Sequence, residues 1–320
     1  MIQYYVLGEP QKTYIVECGD KEAAHASLVG AGDVATMFVN DNPLPQEITP
    51  SLVVHKDARK STKSQFCRSP YVQLPETPAL AALGYTGPYN GSFEPVQCVF
   101  GSYYKSWFTD LLNPRHWLDQ SHIQESMYGL YVLQKTYPHL VKQDVAIMDP
   151  YCSQDIVFAY RNAPDDFENS KWKNLFHYVD GYCRRWSSVP WANASFILIP
   201  LNLPIHWVAV VVNVKDGITT MYDCNHCCYT DGEMNVYIEP VEDVVQHLLH
   251  YCKVKIPDIW TVSRPKDFPQ NASSSDCGAW MIKTFEVELS QQSPYSLNDQ
   301  IVNSYRKYLA TSVWYGEWIL

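Results

Sequence analysis

The sequence predicts an α+β fold, a central and mostly antiparallel sheet flanked by helices, and two patterns carry that expectation. Phe196-Ile197-Leu198-Ile199, residues 207–214 and residues 218–222 are β-branched and aromatic runs, and Lys215-Asp216-Gly217 closes the last two into a hairpin. Apolar residues recur three and four apart around 121–135, 239–251 and from Asp276 onward, which is the helical period. Strands come as a run with helices before and after and no segment repeats, so the elements do not alternate as in a parallel α/β fold.

Residues 1–40 hold two short strand-like runs, Tyr4-Tyr5-Val6-Leu7 and Thr13-Tyr14-Ile15-Val16, and nothing that points to chemistry. Between 41 and 95 prolines from Pro43 to Pro95 recur among Ser, Thr and Asn. Proline at that density excludes long helices and central strands, so the stretch reads as a partly disordered linker. Inside it Lys56, Arg59, Lys60, Lys63 and Arg68 form either a solvated basic run or a nuclear-import patch. Organised structure occupies 96–320. Ser121 with Gln124 three residues on makes a capping box, and Ile123, Met127, Leu130 and Tyr131 continue the helix over 121–135. Val241, Val244, Val245, Leu248 and Leu249 share one face of a helix over 239–251. Met281, Ile282, Phe285 and Leu289 do the same for a helix that opens at Asp276, and Ser296 caps a last segment carrying Ile301, Val302, Tyr305 and Leu309. Trp107, Trp172, Trp186 and Trp191 read as packing residues.

Composition narrows the function. Ten Trp, 23 Tyr and 11 Phe supply apolar area that a fully disordered chain lacks. With 34 acidic against 24 basic side chains the formal charge is −10, the wrong sign for a general binder of nucleic acid. Partners are therefore proteins or small molecules. The longest apolar stretch, 196–214, is interrupted by Asn202, prolines and His206, so no membrane span is expected. The start shows no secretory pattern, which implies a nuclear or cytoplasmic protein, ten reduced thiols and idle sequons at Asn90, Asn193 and Asn271.

One thiol stands apart. Asp276 is a good N-cap, which puts Cys277 in the first turn of a helix, where free backbone N–H groups and the helix dipole favour a thiolate. His206 opens the strand at 207–214, and Asp223 follows the returning strand, so the hairpin sets the two side by side at its open end. A carboxylate there can fix the imidazole tautomer and aim its other nitrogen at a thiol. Upstream of Cys277, Gln270 and Asn271 offer carboxamides for an oxyanion. Cys224, His226, Cys227 and Cys228 crowd together, but adjacent ligands cannot all face one ion, and no metal or other cofactor is implied.

In the order His206, Asp223, Gln270 or Asn271, Cys277, the chain resembles the ubiquitin-like-protein-specific cysteine proteases, meaning SUMO proteases and their adenain-like relatives. Papain-like and ovarian-tumour-type proteases place Cys before His. The pair His206-Trp207 and the Asp276-Cys277-Gly278 motif are similar to that family, and Trp117-Leu118-Asp119 is similar to its Trp-Leu-x-Asp segment. The resemblance covers about residues 95–315. It implies a cysteine-protease domain over 96–320 with catalytic His206, Asp223 and Cys277, and an oxyanion donor at Gln270 or Asn271. It further implies that Trp117, Asp119 and Trp207 meet the C-terminal Gly-Gly of a SUMO-type modifier or its conjugates. Lys105, Arg115, Arg184 and Arg185 are the basic residues available to an acidic modifier. Two departures stand out: Asn271 holds the position six before the cysteine where the family has glutamine, and Asp119 comes second after the tryptophan, with Gln120 third. Drift of this kind is similar to that in transposon-associated plant members, and it leaves a second expectation open, a domain that binds a ubiquitin-like protein without turnover.

Overall fold

The computed structural model describes residues 94–162, 171–273 and 275–320. The strand-like runs at 4–7 and 13–16, nearly all of the proline-rich stretch, the basic cluster from Lys56 to Arg68, Cys18, Cys67 and Asn90 lie outside them. A hairpin of β1 (Val96–Gln97) and β2 (Ser102–Tyr103) leads into α1 (Lys105–Leu112) and α2 (Gln120–Thr136). β3 (Val145–Ile147), α3 (Cys152–Asn162) and the short α4 (Phe176–Val179) follow. The run β4 (Phe196–Leu203), β5 (His206–Asn213) and β6 (Ile218–Tyr222) precedes α5 (Asp231–Tyr251), β7 (Thr261–Ser263), α6 (Cys277–Leu289) and α7 (Asp299–Tyr315).

One sheet has the order β3-β4-β5-β6-β7. Its two long ladders, β4 with β5 and β5 with β6, are antiparallel as expected, while the three-residue edge strands β3 and β7 join in parallel. Both faces are covered, which is why β4 and β5 are almost continuously apolar. Ile197, Ile199, Val208, Val210 and Val212 pack with Val241, Val244 and Leu248 of α5. On the opposite face Leu198 and Val211 meet Leu289 of α6. Pro200 is tolerated inside β4 because the β3 ladder stops at Leu198 and Ser153 Oγ donates to its carbonyl at 2.6 Å.

α6 packs on β5 with one side and on α2 and α7 with the other. Every residue of it except Glu288 is buried, the mark of a helix enclosed all round. The nucleophile candidate thus sits at the start of the most enclosed helix, beside the first residue of a central strand. Trp107, Trp172, Trp186 and Trp191 are all buried, in agreement with a packing role.

Three expected starts move. The cap of α2 is Asp119 and not Ser121: the carboxylate accepts from the backbone N–H groups of Ser121 and His122 at 2.8 and 3.1 Å. The Ser121 hydroxyl is otherwise engaged, donating to Asp119 Oδ1 and accepting from Trp107 Nε1. α5 begins at Asp231 instead of 239, behind a capping box of Thr230 and Glu233, and runs through Pro240. A proline within a helix removes its own N–H bond and crowds the carbonyl four residues back, and the buried apolar face of α5 outweighs that cost. The cap of α7 is Asn298, whose Oδ1 accepts from the Ile301 N–H, while Ser296 closes a short turn onto the Ser293 carbonyl.

Candidate active site

The β4–β5 hairpin places His206 at the head of β5, and the β5–β6 ladder brings the chain back so that Asp223 follows directly on the last residue of β6. The two side chains meet: His206 Nε2 lies 2.7 Å from Asp223 Oδ1, and both are almost fully buried. With Nε2 committed to Asp223, it is the other ring nitrogen that is left for Cys277, whose thiol interacts with the imidazole. Burial disfavours the imidazolium, but the hydrogen bonds to Asp223 and Cys277 outweigh it and raise the His206 pKa to about 9. Burial also works against the Asp223 carboxylate, yet the His206 hydrogen bond, the Asn225 N–H at 2.8 Å and Arg264 hold it well below the usual carboxylate range.

Cys277 is the first residue of α6 and is buried. Asp276 occupies the N-cap position without a side-chain capping bond: its carboxylate turns to Arg306 Nη1 at 2.6 Å. The N–H groups of the first turn of α6 are donors available to an oxyanion. Gly278 sits at a close approach. A Cβ there would stand 3.0 Å from Leu118 Cβ and 3.1 Å from Ile123 Cδ1, so any larger residue would push the helix start and the Leu118 segment apart by a few tenths of an ångström.

The two carboxamide candidates part. Gln270 donates to the carbonyls of Asp223 and Phe268 at 2.9 and 3.0 Å, and its Oε1 accepts from the His226 N–H at 2.8 Å, so it binds the loop together. Asn271 Nδ2 instead lies 3.3 Å from Cys224 Sγ, its N–H donates to the Cys224 carbonyl, and its Oδ1 has no partner among the described residues. Burial raises the pKa of the Cys224 thiol, and the facing Cys277 and Asp223 add to the effect.

Trp207 is buried and its indole N–H donates to the Leu118 carbonyl at 3.1 Å, which ties the Trp117-Leu118 segment to β5. Trp117 is half-buried. Asp119, expected at the substrate, spends Oδ1 on capping α2; burial raises its pKa, but the bonds to His122 and Ser121 prevail and hold it well below the usual range.

Two arginines escaped the sequence reading. Arg264, just past β7, donates to Asp223 Oδ2 from Nε at 3.0 Å and Nη2 at 2.6 Å. Arg306 on α7 is fully buried and donates to Asp276 and to the carbonyls of Asp110, Leu111, Asn113 and His116. It thereby caps the C-terminal end of α1 and joins that end to the start of α6. A long-range partner leaves no periodic signal; the one local hint is an arginine at the end of a strand-like run. Of the cluster after Asp223, Cys224 is buried and Cys227 exposed, and no group of three or more His, Cys, Asp or Glu among the described residues is arranged to hold a metal ion. The eight described cysteines are free thiols, and no described helix is long and apolar enough to cross a membrane.

Known proteins share this fold. The family model described as the Ulp1 protease family, C-terminal catalytic domain, matches residues 116–313. Sentrin-specific protease 5 of Homo sapiens is 25% identical over 129 residues, 39% of this chain and 16% of that protein, and the Mus musculus protein matches to the same extent. The match thus spans about a sixth of the length of these curated relatives. Among solved structures, the C-terminal Ulp1 protease domain in complex with Smt3, the yeast orthologue of SUMO, aligns with a TM-score of 0.52 and 13% identity over 74% of this chain and 92% of that one. Ulp1 with its catalytic cysteine oxidised to a sulfinic acid aligns with a TM-score of 0.54 and 12% identity over 75% and 93%. At such identities the structures establish the fold, and the family model goes further: this chain belongs to the Ulp1 protease family.

Proposed function

We propose that residues 96–320 form a thiol peptidase and isopeptidase that cleaves after the C-terminal Gly-Gly of a SUMO-type modifier. One observation carries the reading: a buried imidazole bonded at 2.7 Å to Asp223 by one nitrogen, with the Cys277 thiol near enough to the same ring to raise its pKa. The family match over 116–313 supports cysteine peptidase chemistry, and the Smt3 complex of the Ulp1 neighbour supports the choice of modifier.

In the reaction His206 takes the Cys277 proton, and the thiolate attacks the carbonyl carbon of the terminal glycine. The oxyanion is held by the N–H groups at the start of α6 and by the Asn271 carboxamide, since Gln270 is committed to its loop. The imidazolium gives its proton to the departing lysine amine, leaving a thioester. Water, deprotonated by His206, releases the modifier carboxylate and restores the thiol. Asp223 keeps the ring oriented throughout. Trp117, half-buried, and Trp207, buried, are the residues assigned to wall a passage that admits only glycines, and the exposed Arg115, Arg184 and Arg185 are available to an acidic modifier.

The test is a SUMO carrying a C-terminal electrophile. It should label the native chain and leave Cys277→Ser unlabelled; a native chain that reacts with no ubiquitin-like probe sinks the proposal. Tight binding of the modifier without any reaction by intact Cys277 would support the second expectation, a binding domain. The shorter arm of Asn271, and its Oδ1 without a partner among the described residues, are the features that favour it.

A further inference from the structure

Arg264 and Asp223 follow the ends of neighbouring parallel strands, β7 and β6, and this adjacency lets the guanidinium fork onto Asp223 Oδ2. The same guanidinium donates from Nη1 to Asp231 Oδ1 at 2.7 Å and from Nη2 to the Tyr229 carbonyl at 2.9 Å. Lys266 Nζ in turn lies 2.6 and 2.7 Å from the two Asp231 oxygens. A row of alternating charge results: Lys266, Asp231, Arg264, Asp223, His206 and the Cys277 sulfur. Its inner half is dry, with the Arg264 side chain 6% and the Asp223 side chain 0% exposed, whereas Asp231 is 59% exposed.

With Arg264 present, the thiolate–imidazolium form of the site is neutral: two positive groups, Arg264 and His206, stand against Asp223 and Cys277. Without it the same form carries one uncompensated negative charge in a buried place, where charge interactions are strong. We propose that Arg264 is a positioning residue that sets the pH window of the Cys277–His206 pair by balancing the charge of Asp223. Loss of a nearby positive charge makes every proton harder to remove, so both ionisations of the pair move to higher pH. Cys224 and His226 after β6, Tyr229 before α5, Asp276 beside Cys277 and Arg306 on α7 also face this region; they are common to native and variant chains. The inference rests on the proposed thiol chemistry.

The experiment measures the labelling rate by the SUMO electrophile against pH. For Arg264→Gln, which keeps an amide N–H for Asp223 and drops the charge, both limbs of the bell should rise by about one pH unit. Arg264→Lys, which keeps the charge, should leave the bell in place. Asp231→Asn frees more of the Arg264 charge for Asp223 and should move the bell slightly to lower pH. A bell that only shrinks in Arg264→Gln, with its limbs unmoved, overturns the proposal. If that variant does not fold, Asp231→Asn carries the test, and an unmoved bell there is the contrary result. If the native chain is never labelled, the peptidase reading fails by itself. The His206 ring titration followed by NMR in Cys277→Ser still decides: a rise on adding Arg264→Gln supports the charge balance, and no rise or a fall overturns it.

Discussion

Asp223 and Asp276 are both buried and both pair with an arginine, yet their acidities part. For Asp223 burial is overcome by a charged imidazole, a backbone N–H and a forked guanidinium, and its pKa falls. For Asp276 burial prevails and lifts the pKa to about 6, with Asp299 adding and Arg306 opposing. The arginines differ in commitment: Arg264 gives two N–H groups to its carboxylate, while Arg306 gives one and spends the rest on carbonyls. The number and direction of donors, more than the identity of the partner, decide whether a buried carboxyl stays charged. One site thus holds a carboxylate built to remain ionised beside the imidazole and another built to fix a helix end.

The largest expected difference comes from removing each charge. Asp223→Asn should lower the labelling rate by about 10³-fold or more, because the imidazole loses both its orientation and its counter-charge. Asp276→Asn should lower it by about tenfold or less, while shifting the thermal midpoint downward because the Arg306 charge is left buried and unpaired. A larger loss from Asp276→Asn than from Asp223→Asn would reverse the assignment.

The carboxamides permit a similar contrast at smaller scale. Asn271→Ala should slow labelling by about 10²-fold, the usual effect of losing one oxyanion donor, with little change in stability. Gln270→Ala should change the rate by no more than about threefold but destabilise the loop by about 1 kcal/mol, since it removes bonds to the Asp223 and Phe268 carbonyls. Equal rate losses in the two would show that the loop rearranges when substrate binds. Gly278→Ala should destabilise the fold by about 1–3 kcal/mol in chemical denaturation, through the clash with Leu118 and Ile123.

The smallest effects lie in the pH dependence of stability, and the signs follow the comparison. His206 has a raised pKa, so its contribution is complete below 6.5 and is lost as pH rises toward about 9; His206→Gln should flatten that alkaline decline. Asp223 has a lowered pKa, so its contribution is present above 3.8 and is lost as pH falls below it. Asp276 acts the other way: with its pKa raised from 3.8 to about 6, stability falls as pH rises across that interval, and Asp276→Asn should remove this slope in urea titrations.

Hairpin spacing made His206 and Asp223 legible as a pair, and the Asp-Cys-Gly motif marked Cys277, because both depend on local geometry that repeats along the chain. The start of α5 was hidden by Pro240, a residue that ends helices unless a buried face outweighs it. Asp119 entered through the resemblance of Trp117-Leu118-Asp119 to a family segment, and its capping of α2 went unread because Ser121 with Gln124 offered a cap of its own. The roles of Arg264 and Arg306 depend on partners far away in sequence, and neither composition nor period encodes such a meeting.

Arg306 adds a matter of timing. It belongs to α7, the last of the described elements in chain order, and it alone supplies the ion pair of Asp276 and four carbonyl contacts around α1. During synthesis Cys277 therefore emerges before the residue that locks its helix start against the Trp117 segment. A growing chain carries the thiol without its frame, and the site is completed only when α7 docks, so that assembly of the fold and arming of the nucleophile are one event.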